Sequence, residues 1–463
     1  MSKVNLITMM LLSVLMITGC AGTTSQDTAT VVQEPPAEKA TIYSNVALVD
    51  GTGAPLKKSM SILVRGATIE AILSQSEMDR MRSDDITLVD GTGWYAVPGL
   101  IDSHVHMATL PNDRQAKAIM RRYLYSGITS VRDMAGDGRA LMNLSRRTHL
   151  KEIDAPDLYY SALMAGPSFF VDPRPAMSAQ GEEPGHVPWM QAITPETDMP
   201  QAVALARGTW ATGIKIYANL DVEEVRRIAR ESKKQGIKVW SHSMVFPAFP
   251  NEVVEAGVDV ISHVCRLAFE ISQEKPTEYH HKVIPDYANL NPRHEKIKAI
   301  FLSMKDQDIV LDATVWLYAE LERMKRENPE VKTIPVNCPA DFAGRLTAFA
   351  HELGVDISTG TDGATPYDAA YPALYEELDV LQDKVGMSPL QIIRSASIVG
   401  AKTLGIEQDT GTLEVGKKAD IVFVTQNPLQ DISNLRSVIL TVKGGTEYRR
   451  SNYQKLTKEE MNE

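Results

Sequence analysis

The chain has 463 residues, of which 43% are hydrophobic and 23% charged, the proportions of a soluble globular protein with a sizeable core. Its formal net charge of −11 has no basic block to set against it, which excludes nucleic acid as a partner and leaves no polybasic patch for a membrane surface. The length accommodates one large barrel with a satellite domain, or several ordinary domains.

Residues 6–17, LITMMLLSVLMI, form an apolar run behind the single basic Lys3. The run is far short of the roughly 20 residues that a membrane-spanning helix needs, and fits an export signal over residues 1–19. The next residues, ITGC, resemble a bacterial lipobox, which makes Cys20 the expected lipidation site. Ala21 in place of Asp favours the outer membrane. The expected location is the bacterial cell envelope, anchored through an N-terminal lipid and facing the periplasm. Residues 20–40 are mostly polar, lack aromatic residues and contain Pro35–Pro36, so a flexible linker is expected there.

Residues 41–96 and 405–450 carry short β-type runs, such as SILVRGATIEAIL and ADIVFVTQ, separated by Gly-containing turns. They predict a small β-sandwich built from both flanks. Between them, residues 97–404 alternate short apolar runs with amphipathic stretches, the pattern of βα units and a parallel sheet. Eight strand candidates stand out: AVPGLIDSHVH, GITSVRD, DLYYSALMAG, GIKIYANL, IKVWSHSM, VDVISHVC, DIVLDATVW and VDISTGTDG. Each precedes a helical stretch, which predicts an α/β fold with a (β/α)8 TIM barrel. Ser388, Pro389 and Gln391 predict a capped start for the last barrel helix. The segments after the third and sixth strands are much longer than ordinary connections and are expected over the active site. Cys265 and Cys338 lie far apart in sequence and are read as two separate buried thiols, a bridge in an oxidising periplasm being the alternative.

His104 and His106 end the first strand at positions i and i+2, so both side chains face one way. Such a pair is half of a metal site or a chance repeat. In this kind of barrel the functional face is the C-terminal end of the strands. The other strand ends supply Lys215, His242, His263 and Asp362. Four imidazoles and a carboxylate suit zinc, and also iron, cobalt or manganese. His186, on the third loop, and Tyr217, on the same strand face as Lys215, are candidates for substrate contact. Arg266 follows His263 closely and either binds a substrate carboxylate or makes a helix-end salt bridge. His280 and His281 read as solvated, and His149, His294 and His351 as structural. No glycine-rich turn supports a nucleotide cofactor.

PGLIDSHVH on the first strand, GIK on the fourth, a lone His in SHS and in SHV, and GTDG on the eighth resemble the amidohydrolase superfamily of metal-dependent hydrolases. GTLEVGKKADIVFV is similar to the segment with which these enzymes complete their small β-sandwich, and GITSVRD to their second strand. The resemblance covers nearly all of residues 41–450. By motif the nearest subgroup holds imidazolonepropionase-like proteins and carboxylated-lysine dipeptidases. There the fourth-strand lysine carries carbon dioxide as a carbamate that bridges two divalent metals. The resemblance thus implies His104, His106 and Asp362 on one metal, His242 and His263 on the other, Lys215 as the bridging carbamate, and Asp362 as the catalytic proton carrier. Other branches of the superfamily suggest an alternative, a lysine paired with a carboxylate beside a single metal. The implied reaction is hydrolysis of a C–N bond in a small amide or peptide-like molecule. Lactone or phosphotriester hydrolysis, and a non-catalytic surface binding lipoprotein, are the alternatives. Ser243 and Met244 stand where many of those dipeptidases carry an aromatic residue or histidine, which weighs against a dipeptidase. The sequence leaves the oligomeric state open.

Overall fold

The computed structural model describes residues 39–461, except 81–84, 282 and 331–337. The expected signal segment, Cys20 and all but the end of the expected linker lie outside the described residues. Eight strands, one in each of the eight predicted segments, form the central sheet: β1 (Leu100–Val105), β2 (Ile128–Asp133), β3 (Asp157–Ala165), β4 (Gly213–Ile216), β5 (Lys238–His242), β6 (Val260–Ser262), β7 (Val310–Asp312) and β8 (Ile357–Ser358). Each pairs in parallel with the next in chain order. All residues of β1, β2, β4, β6, β7 and β8 are buried. Helices outside and side chains inside cover both faces of the strands, so they read as apolar runs without alternation.

The sheet is closed by the last strand meeting the first. Ser103 N donates to Thr359 O at 2.7 Å, and Asp362 N donates to His104 O at 2.9 Å. Thr361 Oγ1 also donates to Asp102 Oδ2 at 3.0 Å across the same seam. The last barrel helix, Pro389–Arg394 at its start, begins as predicted. Ser388 is its N-cap, Pro389 its first residue, and the Ser388 N–H donates to Gln391 Oε1 at 2.8 Å.

Strands from both flanks join in one further sheet of eight strands. Its main path runs Thr446–Arg449, Val438–Lys443, Ile421–Val424, Tyr95–Pro98, Ala40–Leu48, Lys57–Arg65 and Thr68–Ser74, with Ile86–Asp90 beside Ala40–Leu48. A buried charge cluster ties this sheet to the foot of the barrel. Asp157, at the start of β3, pairs with Lys443 at 2.5 Å and with Lys418, and Lys443 Nζ donates to Thr148 O at 2.9 Å.

Both long segments fold above the C-terminal ends of the strands. After β3 come two short helices, Pro167–Val171 and Pro173–Met177, and then a strand, Met190–Ala192, that pairs with the end of β3 where β2 no longer reaches. After β6 comes a 3-10 helix, Val264–Glu270. Cys265, within it, forms a disulfide with Cys338, their Cα atoms 6.2 Å apart. This corrects the reading of two separate thiols. The 73 residues between them say nothing of spatial adjacency, whereas the fold packs the helix Ala340–Glu352, which Cys338 precedes, against the segment after β6. Among the described residues no helix is long and apolar enough to cross a membrane.

Candidate active site

His104, His106 and Asp362 present ligand atoms that all lie within 4.8 Å of one another at the mouth of the barrel. His104 Nε2 stands 3.4 Å and His106 Nε2 3.1 Å from Asp362 Oδ1, and His263 Nε2 stands 3.7 Å from Asp362 Oδ2. His242 joins the group with its ring centroid 4.9 Å from that of His263. Lys215 is buried beside them, so the four histidines, the lysine and the aspartate found at the strand ends are brought to one place. His186 is not: its side chain is 65% exposed and its only ion-pair partner among the described residues is Glu183, at 3.9 Å. It is a surface residue of the loop hairpin.

The histidine rings are oriented from behind. His104 Nδ1 contacts Asp312 Oδ2 at 2.7 Å, His106 Nδ1 the Ala135 carbonyl at 3.1 Å, and His263 Nδ1 the Thr314 hydroxyl at 3.1 Å. A carboxylate or carbonyl accepts only, so Nδ1 of His104 and of His106 carries a proton and Nε2 of each faces Asp362; burial works against the charge on His106, but its hydrogen bond with Asp362 raises it above the ordinary imidazole range. His242 differs, since its Nδ1 is buried without a hydrogen-bond partner. Burial, with the Arg266 charge adding to it, holds His242 and His263 well below the ordinary imidazole range. Both rings are neutral at pH 7, the form that binds metals. Burial opposes the charge on Asp362, but attraction to His104 and the hydrogen bond from His106 outweigh it and keep the carboxyl well below its usual range.

Burial also brings the Lys215 ammonium down to about 8, against the pull of Asp362 and Asp133. Lys215 makes no ion pair among the described residues, and its Nζ lies 5.0 Å from the Tyr217 ring centroid. Tyr217 packs tilted against His242 with centroids 4.2 Å apart, and Phe169 and Tyr279, from the two long segments, pack on Tyr217 at 4.5 and 5.5 Å. These aromatics close one side of the mouth.

Several groups that shape the site escape a reading of strand ends alone. Asp312, on β7, also accepts from Arg132 Nη2 at 2.9 Å and from the Ser262 hydroxyl at 2.8 Å. Arg132 in turn lies under the Trp240 ring, 4.9 Å from its centroid. Gly360 leaves the necessary room, because a Cβ there would fall 2.1 Å from Asp312 Oδ1 and 2.9 Å from His104 Cβ. Ser243, noted above as a departure, donates its hydroxyl to His263 O at 2.7 Å and ties β5 to β6. A carboxylate inside the apolar run DIVLDATVW was the available signal for Asp312. Six of the eleven non-glycine residues with positive φ, among the described residues, follow strand ends at this mouth: Ala135, Asn219, Phe246, His263, Thr314 and Asp362. Such backbone costs of order 1–3 kcal/mol per residue and gathers where a site dictates the geometry.

Solved structures share the architecture. A Xaa-Pro dipeptidase with bound methionine superposes with a TM-score of 0.68 at 22% identity, over 89% of this chain and all of that one. Aspergillus niger ochratoxinase superposes with a TM-score of 0.69 at 21% identity, over 90% of this chain and 97% of that one. The fold and the imidazole–carboxylate cluster define a TIM-barrel enzyme with a candidate metal centre at the strand ends. The amidohydrolase family model matches residues 95–447, and the chain belongs to that family of hydrolases. In sequence it is 24% identical to the ochratoxinase of Aspergillus niger, over 87% of this chain and 84% of that protein. It is also 24% identical to a 5-methylthioadenosine/S-adenosylhomocysteine deaminase of Thermoanaerobacter pseudethanolicus, over 83% of this chain and 84% of that protein.

Proposed function

We propose that the protein is an exported, lipid-anchored amidohydrolase that cleaves a C–N bond of a small amide or peptide-like substrate at a centre of two divalent metals. One observation carries this reading: four imidazoles, a carboxylate and an amine without an ion partner among the described residues converge, three of the rings being oriented by partners behind them. The donor set fits metals. His104 Nε2 and His242 Nδ1 are buried without a hydrogen-bond partner, a state that buried polar atoms seldom keep unless something else binds them. His104, His106 and Asp362 would hold one metal, and His242 and His263 the other. Lys215 would span both as a carbamate, formed when its neutral amine adds carbon dioxide and releases one N–H proton.

Divalent metal of this type, zinc first among the candidates, polarises a carbonyl and lowers the pKa of water from 15.7 to about 7. The chain's own part is proton handling and positioning. Asp362, ionised, accepts the proton of the attacking water on a carboxylate oxygen and returns it to the leaving nitrogen. Asp312 holds His104 in the tautomer that turns Nε2 inward. Tyr217 and Tyr279 keep bulk water from one side. A deaminase among the full-length relatives supports action at a C–N bond. The disulfide supports export, because such bonds persist in oxidising compartments.

Metal analysis of protein purified without chelators tests the centre. Near two metals per chain, falling sharply in Lys215→Ala, is the expected result, and one or none overturns the bridged pair. A screen of dipeptides and N-acyl amino acids tests the bond. Turnover of lactones or phosphotriesters with none of amides reverses the substrate class. Membrane fractionation tests the anchor, with Cys20→Ser expected to release the protein into the soluble periplasmic fraction.

A further inference from the structure

Among the described residues, Arg266 is a guanidinium at the mouth without a counter-charge. Two arginines flank Tyr279. Arg174 is neutralised by Asp172 at 2.8 Å and also donates to the Tyr279 hydroxyl at 3.2 Å. Arg266, among the described residues, has neither an ion pair nor a side-chain hydrogen bond, and only aromatic faces hold it: its Cζ lies 5.3 Å from the Tyr279 ring centroid and 5.7 Å from that of Phe246. Among the described residues, the helix-end salt bridge considered from the sequence does not form. Stacked rings hold a guanidinium by its faces and leave the N–H groups at its edge free.

Its position is fixed close to the candidate centre. Arg266 lies three residues past His263, and its backbone N–H donates to His263 O at 3.1 Å. Its charge also helps depress His242, His263 and the Tyr279 hydroxyl. A half-buried cation without an anion, held rigid beside a hydrolytic centre, is poised for an anionic group on the substrate. Its planar fork matches the two oxygens of a carboxylate.

We propose that Arg266, stacked between Phe246 and Tyr279 above His263, binds a carboxylate of the substrate, so that this enzyme selects amides carrying a free carboxylate. The inference rests on the C–N hydrolase reading given above and narrows its substrate class.

The test compares N-acetyl-L-leucine with N-acetylisoamylamine, the same molecule without its carboxylate, on the metal-loaded protein and on R266M and R266K. Circular dichroism confirms that each variant is folded. The expected result is a wild-type kcat/KM about 10- to 100-fold higher for the acid, the range of a charge-assisted hydrogen bond. R266M brings the acid down towards the level of the decarboxylated probe, and R266K restores part of the difference. Equal wild-type rates for the two probes, or a preference that survives in R266M, overturns the proposal. If neither probe is hydrolysed, the C–N hydrolase reading fails for this pair, and calorimetric binding of the same two molecules then decides the role of Arg266. A preference for the acid that R266M abolishes supports it, and equal or absent binding overturns it.

Discussion

The chemistry of the site depends on pairs of residues from different strands. Asp362→Asn removes the carboxylate proposed above as proton acceptor while keeping shape, and is expected to abolish turnover with metal content largely retained, as kinetics and elemental analysis on one preparation would show. Asp312→Asn leaves His104 without the carboxylate that fixes its tautomer. Loss of such a partner costs about 10- to 100-fold in metal affinity, measurable by chelator competition, and an unchanged affinity would remove Asp312 from the account. The geometry at Gly360 makes a third prediction. Gly360→Ala drives a methyl group into Asp312 and His104, so it is expected to impair metal binding as severely as the Asp312 variant does.

At the scale of elements, the strands were legible and the loops were not. Burial on both faces makes each barrel strand an apolar run, and a single polar residue at its end then stands out, as His104, His242 and Asp362 do. The capped start at Ser388 follows from local chemistry alone. Asp312 and Arg132 act across strands, and no local pattern marks their pairing. His186 illustrates the limit for loops, since only packing decides whether a loop residue turns inward. The disulfide is the same problem at longer range. Replacing both Cys265 and Cys338 by Ser is expected to lower stability by about 2–4 kcal/mol, as for other bridges closing long loops, and urea unfolding of the oxidised protein against the double variant measures it.

For the whole molecule, the charge cluster at the foot of the barrel is decisive. Asp157 and Lys443 are each only 2% exposed and were drawn together from sequence positions far apart. Asp157→Ala strands Lys443 in the interior, and breaking such a pair costs about 3–5 kcal/mol. Burial resists the charge on Asp157, but Lys443 and then Lys418 prevail and lower its carboxyl below the usual range. Its share of stability is therefore present above the ordinary aspartate value of about 3.9 and is lost as pH falls through the lowered native value. An acid titration of stability is expected to lose that limb in Asp157→Asn.

The barrel seam also sets an order in time. Asp362 donates its N–H to the His104 carbonyl, so the histidines of the first strand meet their carboxylate only when the last strand is in place. A ribosome-bound chain that has not yet released β8 holds His104 and His106 but cannot assemble a working centre. Assembly of the proposed centre thus waits for the last barrel strand, and a chain broken before β8 is expected to be a silent one.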